Sequence, residues 1–332
     1  MTGRGERLGE ELRAALHELF TEDPEAFLLG QDVLDPYGGA FKITRGLSSR
    51  FPDRVRSTPI SEAAMVGAAS GLALAGHTAV VELMFSDFVT LAVDQILYAA
   101  STAAGTYGAP WPVRLVVRCP SGGRRGYGPS HSQSLQKHFI GMPGLTVYEL
   151  SPAHRSASVL SSMLAEGRPG LLFEDKVSYT EPTWTPGPPG GLFTGELVGP
   201  EPGVAVLDVD AGVVNCVVIC GGSTANRVLE AASRLLLTQD VVCRILVLAR
   251  THPFDQKTVN GLLPPGVPVV VVEESLPGGT WGAEVAYRLG AGRRVVLAHS
   301  EGEVIPAAAH LERAVLLNVD RVMERVRHAV SE

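Results

Sequence analysis

The chain has 332 residues, which is enough for two domains of roughly 150 residues each. Hydrophobic residues make up 45% of the sequence and charged residues 19%, a composition that excludes an intrinsically disordered chain. The 28 Lys and Arg against 35 Asp and Glu give a formal net charge of −7, which argues against general nucleic-acid binding, since that requires a basic face.

The first half of the chain alternates short apolar runs with segments of helical periodicity. In chain order we predict a helix over 11–20, a strand over 27–30, a largely uncharged helix over 62–75, a strand over 78–83, an apolar helix over 87–102, strands over 113–118 and 145–148, a helix over 153–165 and a strand over 171–173. Such alternation predicts a mostly parallel sheet that is covered by helices on both faces.

Proline and glycine are densest over 181–191, where neither a helix nor a central strand can persist. After this segment the alternation resumes, with strands over 213–219, 242–248, 269–272 and 295–298 and helices over 225–237, 281–289 and 318–330. We therefore predict an α/β protein with two doubly wound domains. The predicted divisions are an N-terminal tail over 1–14, a first domain over 15–180, a linker over 181–204 and a second domain over 205–332.

Two classes of protein are disfavoured by the remaining composition. No apolar run approaches the roughly 18 residues that a membrane helix needs, and the first residues are polar, so we expect a cytoplasmic protein without a membrane partner. The four cysteines are too few and too scattered for a disulfide framework. We expect Cys216 and Cys220 to be small buried residues of a strand rather than metal ligands.

Glu62 stands at the start of the helix over 62–75. One interpretation is a carboxylate in the first turn that compensates the helix dipole. The other is functional. Because no further charge appears through Ala75, this carboxylate is expected to be buried, and a buried carboxyl group suits proton exchange.

Two further segments follow predicted strands, where binding groups of open α/β sheets gather. Met84 and Phe88 come after the first of these strands, and they form either core packing or an aromatic platform for a flat ring. The second segment, 120–133, is a glycine-rich loop that contains His131 near its end. A histidine in such a loop is expected to be accessible to solvent, which favours a functional role.

Many short motifs occur in a fixed order along the sequence, at 29–33, 38–41, 44–47, 58–62, 87–88, 94–96, 126–129 with 131–133, 143–145, 273–274 and 282–284. Together they resemble the β subunit of the thiamine-diphosphate-dependent 2-oxoacid dehydrogenase component, over nearly the whole chain. The resemblance implies a pyrimidine-binding-type domain followed by a transketolase C-terminal-type domain. It also implies oxidative decarboxylation of pyruvate or a branched-chain 2-oxoacid, with acyl transfer to a lipoyl protein.

The resemblance assigns roles to four of the residues above. Glu62 matches the glutamate that hydrogen-bonds the aminopyrimidine ring nitrogen of the cofactor and exchanges a proton with it. Phe88 matches the aromatic residue that packs on this ring, and Met84 lies beside it. His131 matches the active-site histidine that is used around decarboxylation and acyl transfer. The cofactor supplies the electron sink, whereas the protein orients and polarises it.

The resemblance also bears on metal ions and partners. Related chains bind a structural potassium ion, largely through backbone carbonyls, at the positions of Leu115, Met163, Leu164, Glu166 and Arg168. Relatives hold the diphosphate through Mg²⁺ on a Gly-Asp-Gly…Asn motif of the α subunit, and this sequence lacks that motif. The resemblance thus implies half an active site, an α partner in an α₂β₂ heterotetramer, and a lipoyl acyltransferase as a further partner.

Two alternatives stand beside this hypothesis. One is a β-like subunit of a thiamine-diphosphate carboligase or transketolase-type enzyme, in which no lipoyl protein takes part. The other is a structural or regulatory subunit without catalytic activity. The His-Ser-Gln sequence after the glycine-rich loop favours the dehydrogenase, and the presence of Glu62, Phe88 and His131 argues against a non-catalytic role.

Overall fold

The computed structural model of the chain describes residues 6–106, 108, 111–184, 187–188 and 190–331, and its strands form two sheets. The strands are β1 (Ala26–Gly30), β2 (Val55–Ser57), β3 (Thr78–Glu82), β4 (Leu115–Ser121), β5 (Thr146–Glu149), β6 (Gly170–Asp175), β7 (Thr194–Val198), β8 (Val204–Asp208), β9 (Cys216–Gly221), β10 (Cys243–Leu248), β11 (Arg250–His252), β12 (Val269–Val272) and β13 (Val295–Ala298). The α-helices are α1 (Leu8–Glu22), α2 (Leu47–Arg50), α3 (Glu62–Leu74), α4 (Ala103–Thr106), α5 (Ser156–Ala165), α6 (Ala225–Gln239), α7 (Gln256–Leu262), α8 (Trp281–Leu289), α9 (Ala309–Val315) and α10 (Val319–Ser331). Within these residues, no helix has the length and apolar character that crossing a membrane requires.

The first sheet has the strand order β11-β5-β6-β4-β3-β1-β2, and all its neighbours are parallel except β11 and β5. Apolar side chains of α1 and α5 pack on one face, and those of α3 pack on the other. Because both faces are covered, β3 and β4 are buried along their whole length, as expected of central strands in a parallel sheet. The first domain is therefore doubly wound, as predicted.

The second sheet has the order β13-β12-β9-β10-β8-β7, in which β8 runs antiparallel to both its neighbours. Helices α6 and α10 cover one face of this sheet, and α7 and α8 cover the other. The second domain is thus also doubly wound, which confirms the predicted fold class, although its sheet is mixed rather than parallel. The four cysteines are buried and unpaired, as the sequence predicts.

The ends of the predicted domains contain more regular structure than expected. Helix α1 starts at Leu8, which packs with Leu12 in the core of the first domain. Strand β7 lies inside the predicted linker over 181–204 and forms an edge of the second sheet, because the proline-rich run has ended by then and β8 offers a partner. Outside the described residues lie parts of the predicted tail and linker, residues 1–5, 185–186 and 189.

The segment predicted as one apolar helix over 87–102 is not a single α-helix. Ser86–Ala92 is a 3-10 helix, and Gln95–Ser101 is a π-helix. In the first of these, Oδ1 of Asp87 accepts a hydrogen bond from the backbone N–H of Gln133 at 3.2 Å. The local pattern of apolar residues does not reveal contacts with a distant loop. Tertiary contacts of this kind commonly override helical propensity.

Candidate active site

The residues predicted to bind the cofactor or to act in catalysis lie beyond the carboxyl ends of strands in the first sheet. Glu62 is the first residue of α3 and only 5% exposed. Its Oε1 accepts a hydrogen bond at 3.2 Å from Nε2 of Gln31, which directly follows β1. Among the described residues, Oε2 has no hydrogen-bond partner. The position in the first turn satisfies the helix-dipole interpretation, but burial with one unengaged oxygen also makes this carboxylate suited to a ligand.

An aromatic cluster lies where β3 ends. Met84, Phe85 and Phe88 are all half-buried there. The Phe85 and Phe88 rings meet the His131 ring nearly edge-on, with centroids 4.7 Å and 5.3 Å from it. Helix α3 packs against the 3-10 helix that carries Phe88, so the start of α3 and this cluster belong to the same edge of the sheet. The structure therefore brings the predicted residues Met84, Phe88 and His131 together, with Glu62 at the adjoining helix.

His131 is held from two sides. The side chain of Ser130 makes a 2.8 Å hydrogen bond with Nδ1 of His131, and Nζ of Lys176 donates to the His131 backbone oxygen at 3.0 Å. The same ammonium lies 5.3 Å from the centroid of the Phe85 ring. Burial lowers the pKa of Lys176 to about 8, although Asp87 and other carboxylates raise it in part. The sequence interpretation missed Lys176. Its only signal was a run of three charged residues at the end of the buried strand β6.

Asp87 contributes a second unusual carboxyl group to this edge. Its side chain is buried, and burial raises its pKa against the lowering effect of the Gln133 N–H and Lys176. Oδ1 is used by Gln133, whereas Oδ2 is buried without a hydrogen-bond partner. Buried polar atoms without partners are rare in folded proteins, and such an atom beside Phe88 is a further candidate for contact with a ligand.

A buried ion-pair network lies in the sheet next to the aromatic cluster. Arg118 of β4 is fully buried, and its Nε and Nη2 donate to the two oxygens of Glu174 at 2.8 Å each. Its Nη1 donates to Glu82 of β3. Gly39 packs on the same carboxylate, with φ at +78°, and a Cβ added there would lie 2.2 Å from the Glu82 Oε1. One arginine thus joins three strands and supports the loop that follows β1.

The predicted potassium residues lie at the opposite edge of the first sheet. Leu115 begins β4, whereas the loop with His131 follows the end of that strand. Met163 and Leu164 are buried in the last turn of α5. The Glu166 side chain accepts hydrogen bonds from the Tyr148 hydroxyl and, at 3.2 Å, from Nη1 of Arg250. The fifth residue, Arg168, is exposed. Leu115 and Met163 both approach Gly170, where an added Cβ would lie 4.0 Å from the Leu115 carbonyl oxygen and 2.6 Å from the Met163 Cε.

The described part of the chain contains no group of three or more His, Cys, Asp or Glu side chains that could hold a metal ion. The residues around Glu62 and His131 instead offer apolar rings, an unengaged oxygen on each of Glu62 and Asp87, and the buried ammonium of Lys176. This set is suited to packing on a flat heterocycle and to exchanging a proton with it.

Comparisons with known proteins identify the families of the two domains. Residues 8–182 match the transketolase pyrimidine-binding domain, and residues 208–322 match the transketolase C-terminal domain. The chain is 28% identical to the mitochondrial pyruvate dehydrogenase E1 component subunit beta-2 of Oryza sativa subsp. japonica, over 96% of this chain and 85% of that protein. It is also 28% identical to the 2-oxoisovalerate dehydrogenase subunit beta of Bacillus subtilis (strain 168), over 96% of both chains. A solved split-gene transketolase, described as an inactive beta4 tetramer, shares the fold with a TM-score of 0.74 and 19% identity over 99% of each chain.

Proposed function

Because the chain belongs to the transketolase-like family that includes the β subunits of pyruvate and 2-oxoisovalerate dehydrogenases, we propose that it is the β subunit of a thiamine-diphosphate-dependent 2-oxoacid dehydrogenase. Its reaction is the oxidative decarboxylation of pyruvate or a branched-chain 2-oxoacid, with acyl transfer to a lipoyl protein. The observation that carries the proposal is the buried Glu62 carboxylate with one unengaged oxygen, on the sheet edge that also holds Phe88 and His131.

The residues present fit the aminopyrimidine ring of thiamine diphosphate. Glu62 offers Oε2 to a ring nitrogen, while Gln31 holds Oε1 in place. Met84 and Phe88 offer half-buried apolar surface on which a flat ring can pack. When bound, the cofactor supplies the carbon nucleophile and the electron sink for decarboxylation. The part of Glu62 is to hold and exchange the proton at the ring nitrogen, at a position shielded from bulk water.

His131 is the second catalytic residue of the proposal. Ser130 fixes one ring nitrogen, and the two phenylalanine rings fix the plane of the imidazole. Nε2 is then left to act on the substrate or on the incoming acyl acceptor, as a proton donor or acceptor. Lys176 acts through the backbone of His131 and is a positioning residue.

The rest of the site belongs to an α-type partner in this proposal. We assign the Mg²⁺ and the diphosphate to the partner, because this sequence lacks the Gly-Asp-Gly…Asn motif through which relatives hold them. Large apolar side chains are exposed beside the site, among them Ile60 at 83%, Leu91 at 59% and Tyr98 at 70%. Exposed apolar surface of this kind is typical of a protein interface. We propose an α₂β₂ heterotetramer, with a lipoyl acyltransferase as a further partner.

We also keep the potassium site as a proposal. The ion would be bound by backbone carbonyls of Leu115, Met163, Leu164, Glu166 and Arg168. Because the side chains would not coordinate it, a methionine and an arginine are tolerated there. An ion at that edge of the sheet would stabilise the start of β4 and the end of α5, and it would take no part in the chemistry.

Reconstituted turnover tests the proposed function. The chain is co-expressed with an α-type partner, supplied with thiamine diphosphate and Mg²⁺, and assayed for reduction of an artificial electron acceptor with pyruvate or branched-chain 2-oxoacids. We expect turnover only with both chains, and loss of turnover in Glu62→Gln. Glu324→Gln is the matched control, because it removes the same charge from an exposed helix position. Full activity of Glu62→Gln would overturn the assigned role. An assembled, cofactor-bound complex that joins two substrates but reduces no acceptor would favour the carboligase alternative.

A further inference from the structure

The glycine-rich loop that carries His131 has a backbone shaped to bind anions. Residues with φ in the left-handed region recur along it, with Gly122 at +83°, Arg124 at +69° and Gly126 at +71°. Alternation between left- and right-handed conformations aims successive N–H groups towards one point and forms an anion-binding concavity. Arg124 is not a glycine, so its left-handed conformation costs free energy and persists only where neighbouring contacts impose it.

Glu312 of α9, in the second domain, occupies this concavity. Its Oε1 accepts a hydrogen bond from the Arg124 N–H at 2.9 Å, and its Oε2 accepts one from the Gly126 N–H at 3.1 Å. The same segment of the second domain contacts Gly126 again, where an added Cβ would lie 3.2 Å from the Ala307 carbonyl oxygen. Hydrogen bonds from N–H groups to a carboxylate are stronger than those between neutral groups, and Glu312 is only 2% exposed.

Glu312 has no cationic partner among the described residues, and both its oxygens are used by the loop. Glu274 of the same domain also reaches the loop, through the Gly123 N–H at 3.3 Å. Glu274 differs from Glu312 in having a cationic partner, because Nη1 of Arg227 donates to its Oε2. A buried carboxylate with no cation is costly unless hydrogen bonds compensate it. The two loop N–H groups are therefore the interaction that keeps Glu312 in place, and Glu312 in turn fixes them.

We propose that Glu312 is a positioning residue for His131: the second domain fixes the conformation of the loop over 122–131 through this carboxylate. Glu312 then holds the loop near its middle, and the Lys176 bond to the His131 carbonyl holds its end. Without Glu312, the loop keeps other contacts, among them the Arg125 bond to the Lys176 carbonyl and the Gln133 bond to the Pro129 carbonyl, but the N–H groups of Arg124 and Gly126 lose their acceptor. The catalytic part of this inference rests on the proposed function of His131, whereas the restraint on the loop does not.

Hydrogen–deuterium exchange of the full-length chain tests the restraint without any activity assay. We compare wild type with Glu312→Gln and Glu312→Ala, and use Glu324→Gln as the matched charge control. The amides of Arg124 and Gly126 should exchange on the order of 10- to 100-fold faster in Glu312→Ala, because two charge-assisted hydrogen bonds are lost. Glu312→Gln should lie between wild type and Glu312→Ala, since its side-chain oxygen still accepts one bond while its NH₂ faces the other N–H.

Kinetics of the reconstituted complex test the positioning of His131. For Glu312→Gln we expect kcat to fall at least about ten-fold, with half-saturation by thiamine diphosphate unchanged. Unaltered exchange of the Arg124 and Gly126 amides overturns the proposal, whatever the kinetics show. Faster exchange with unchanged kcat also overturns it, because the loop would then be restrained without effect on His131. If the wild-type complex has no dehydrogenase activity, the proposed function fails, and the exchange rates alone still decide whether Glu312 restrains the loop.

Discussion

Lys176 provides a quantitative test of the electrostatics around His131. Its ammonium is fully buried, and burial lowers its pKa from the ordinary value of 10.5 to about 8. Between these two values the unfolded chain holds a proton that the folded chain has released. The free energy of unfolding therefore rises with pH across that window. For these two pKa values, the gain between pH 7 and pH 9 is about 1.3 kcal/mol.

The variant Lys176→Met isolates this contribution, because it removes the titrating group and leaves every other group in place. We expect the unfolding free energy of Lys176→Met relative to wild type to fall by about 1.3 kcal/mol between pH 7 and pH 9. Urea unfolding, followed by the fluorescence of the buried Trp184 and Trp281, gives both values. The exposed Lys257→Met is the control, and its difference from wild type should stay constant. A difference for Lys176→Met that is equally flat from pH 7 to pH 9 would show that folding does not lower the pKa of Lys176.

Three other predictions follow from the same structure. Arg118→Met leaves two buried carboxylates without their cation and should lower the unfolding free energy by roughly 3–5 kcal/mol in urea titrations. Arg114 is part-exposed, so Arg114→Met should lower the unfolding free energy by only about 1 kcal/mol or less. Burial lowers the pKa of His154 to about 4, so the unfolded chain takes up the proton first as pH falls below about 6.5. The unfolding free energy should then drop by about 2 kcal/mol between pH 8 and pH 5, and a His154→Gln variant with an unchanged drop would contradict this. Gln31→Met removes the hydrogen bond to Glu62 and should reduce kcat of the reconstituted complex about ten-fold or more; an unchanged kcat would show that Gln31 does not orient the carboxylate.

Local sequence patterns were sufficient to predict most helices and strands and the positions of Glu62, Phe88 and His131. Phe88 and His131 come after strands that short apolar runs identify, Glu62 begins a helix of uncharged residues, and the carboxyl ends of parallel strands meet at one edge. The same patterns did not predict β11, which belongs to the chain of the second domain but completes the sheet of the first. This strand has only three residues, all of them polar, so it shows no periodic pattern of apolar residues.

The supporting residues of the site were missed for a different reason. Glu312 is 188 positions from Arg124, whose N–H it binds, and Lys176 is 45 positions from His131. A carboxylate on a short helix and a lysine at a strand end look like ordinary surface charges in a sequence. Their burial, and the partners that compensate it, exist only once the two domains are folded and packed.

We propose that this chain supplies half of a thiamine-diphosphate site. The most direct test is a calorimetric titration of thiamine diphosphate, in the presence of Mg²⁺, into the chain alone, into an α-type partner alone and into the assembled complex. We expect tight, saturable binding only to the complex, with a stoichiometry of one cofactor for each pair of chains. Tight binding to this chain alone, or full-strength binding to the partner without it, would contradict the claim.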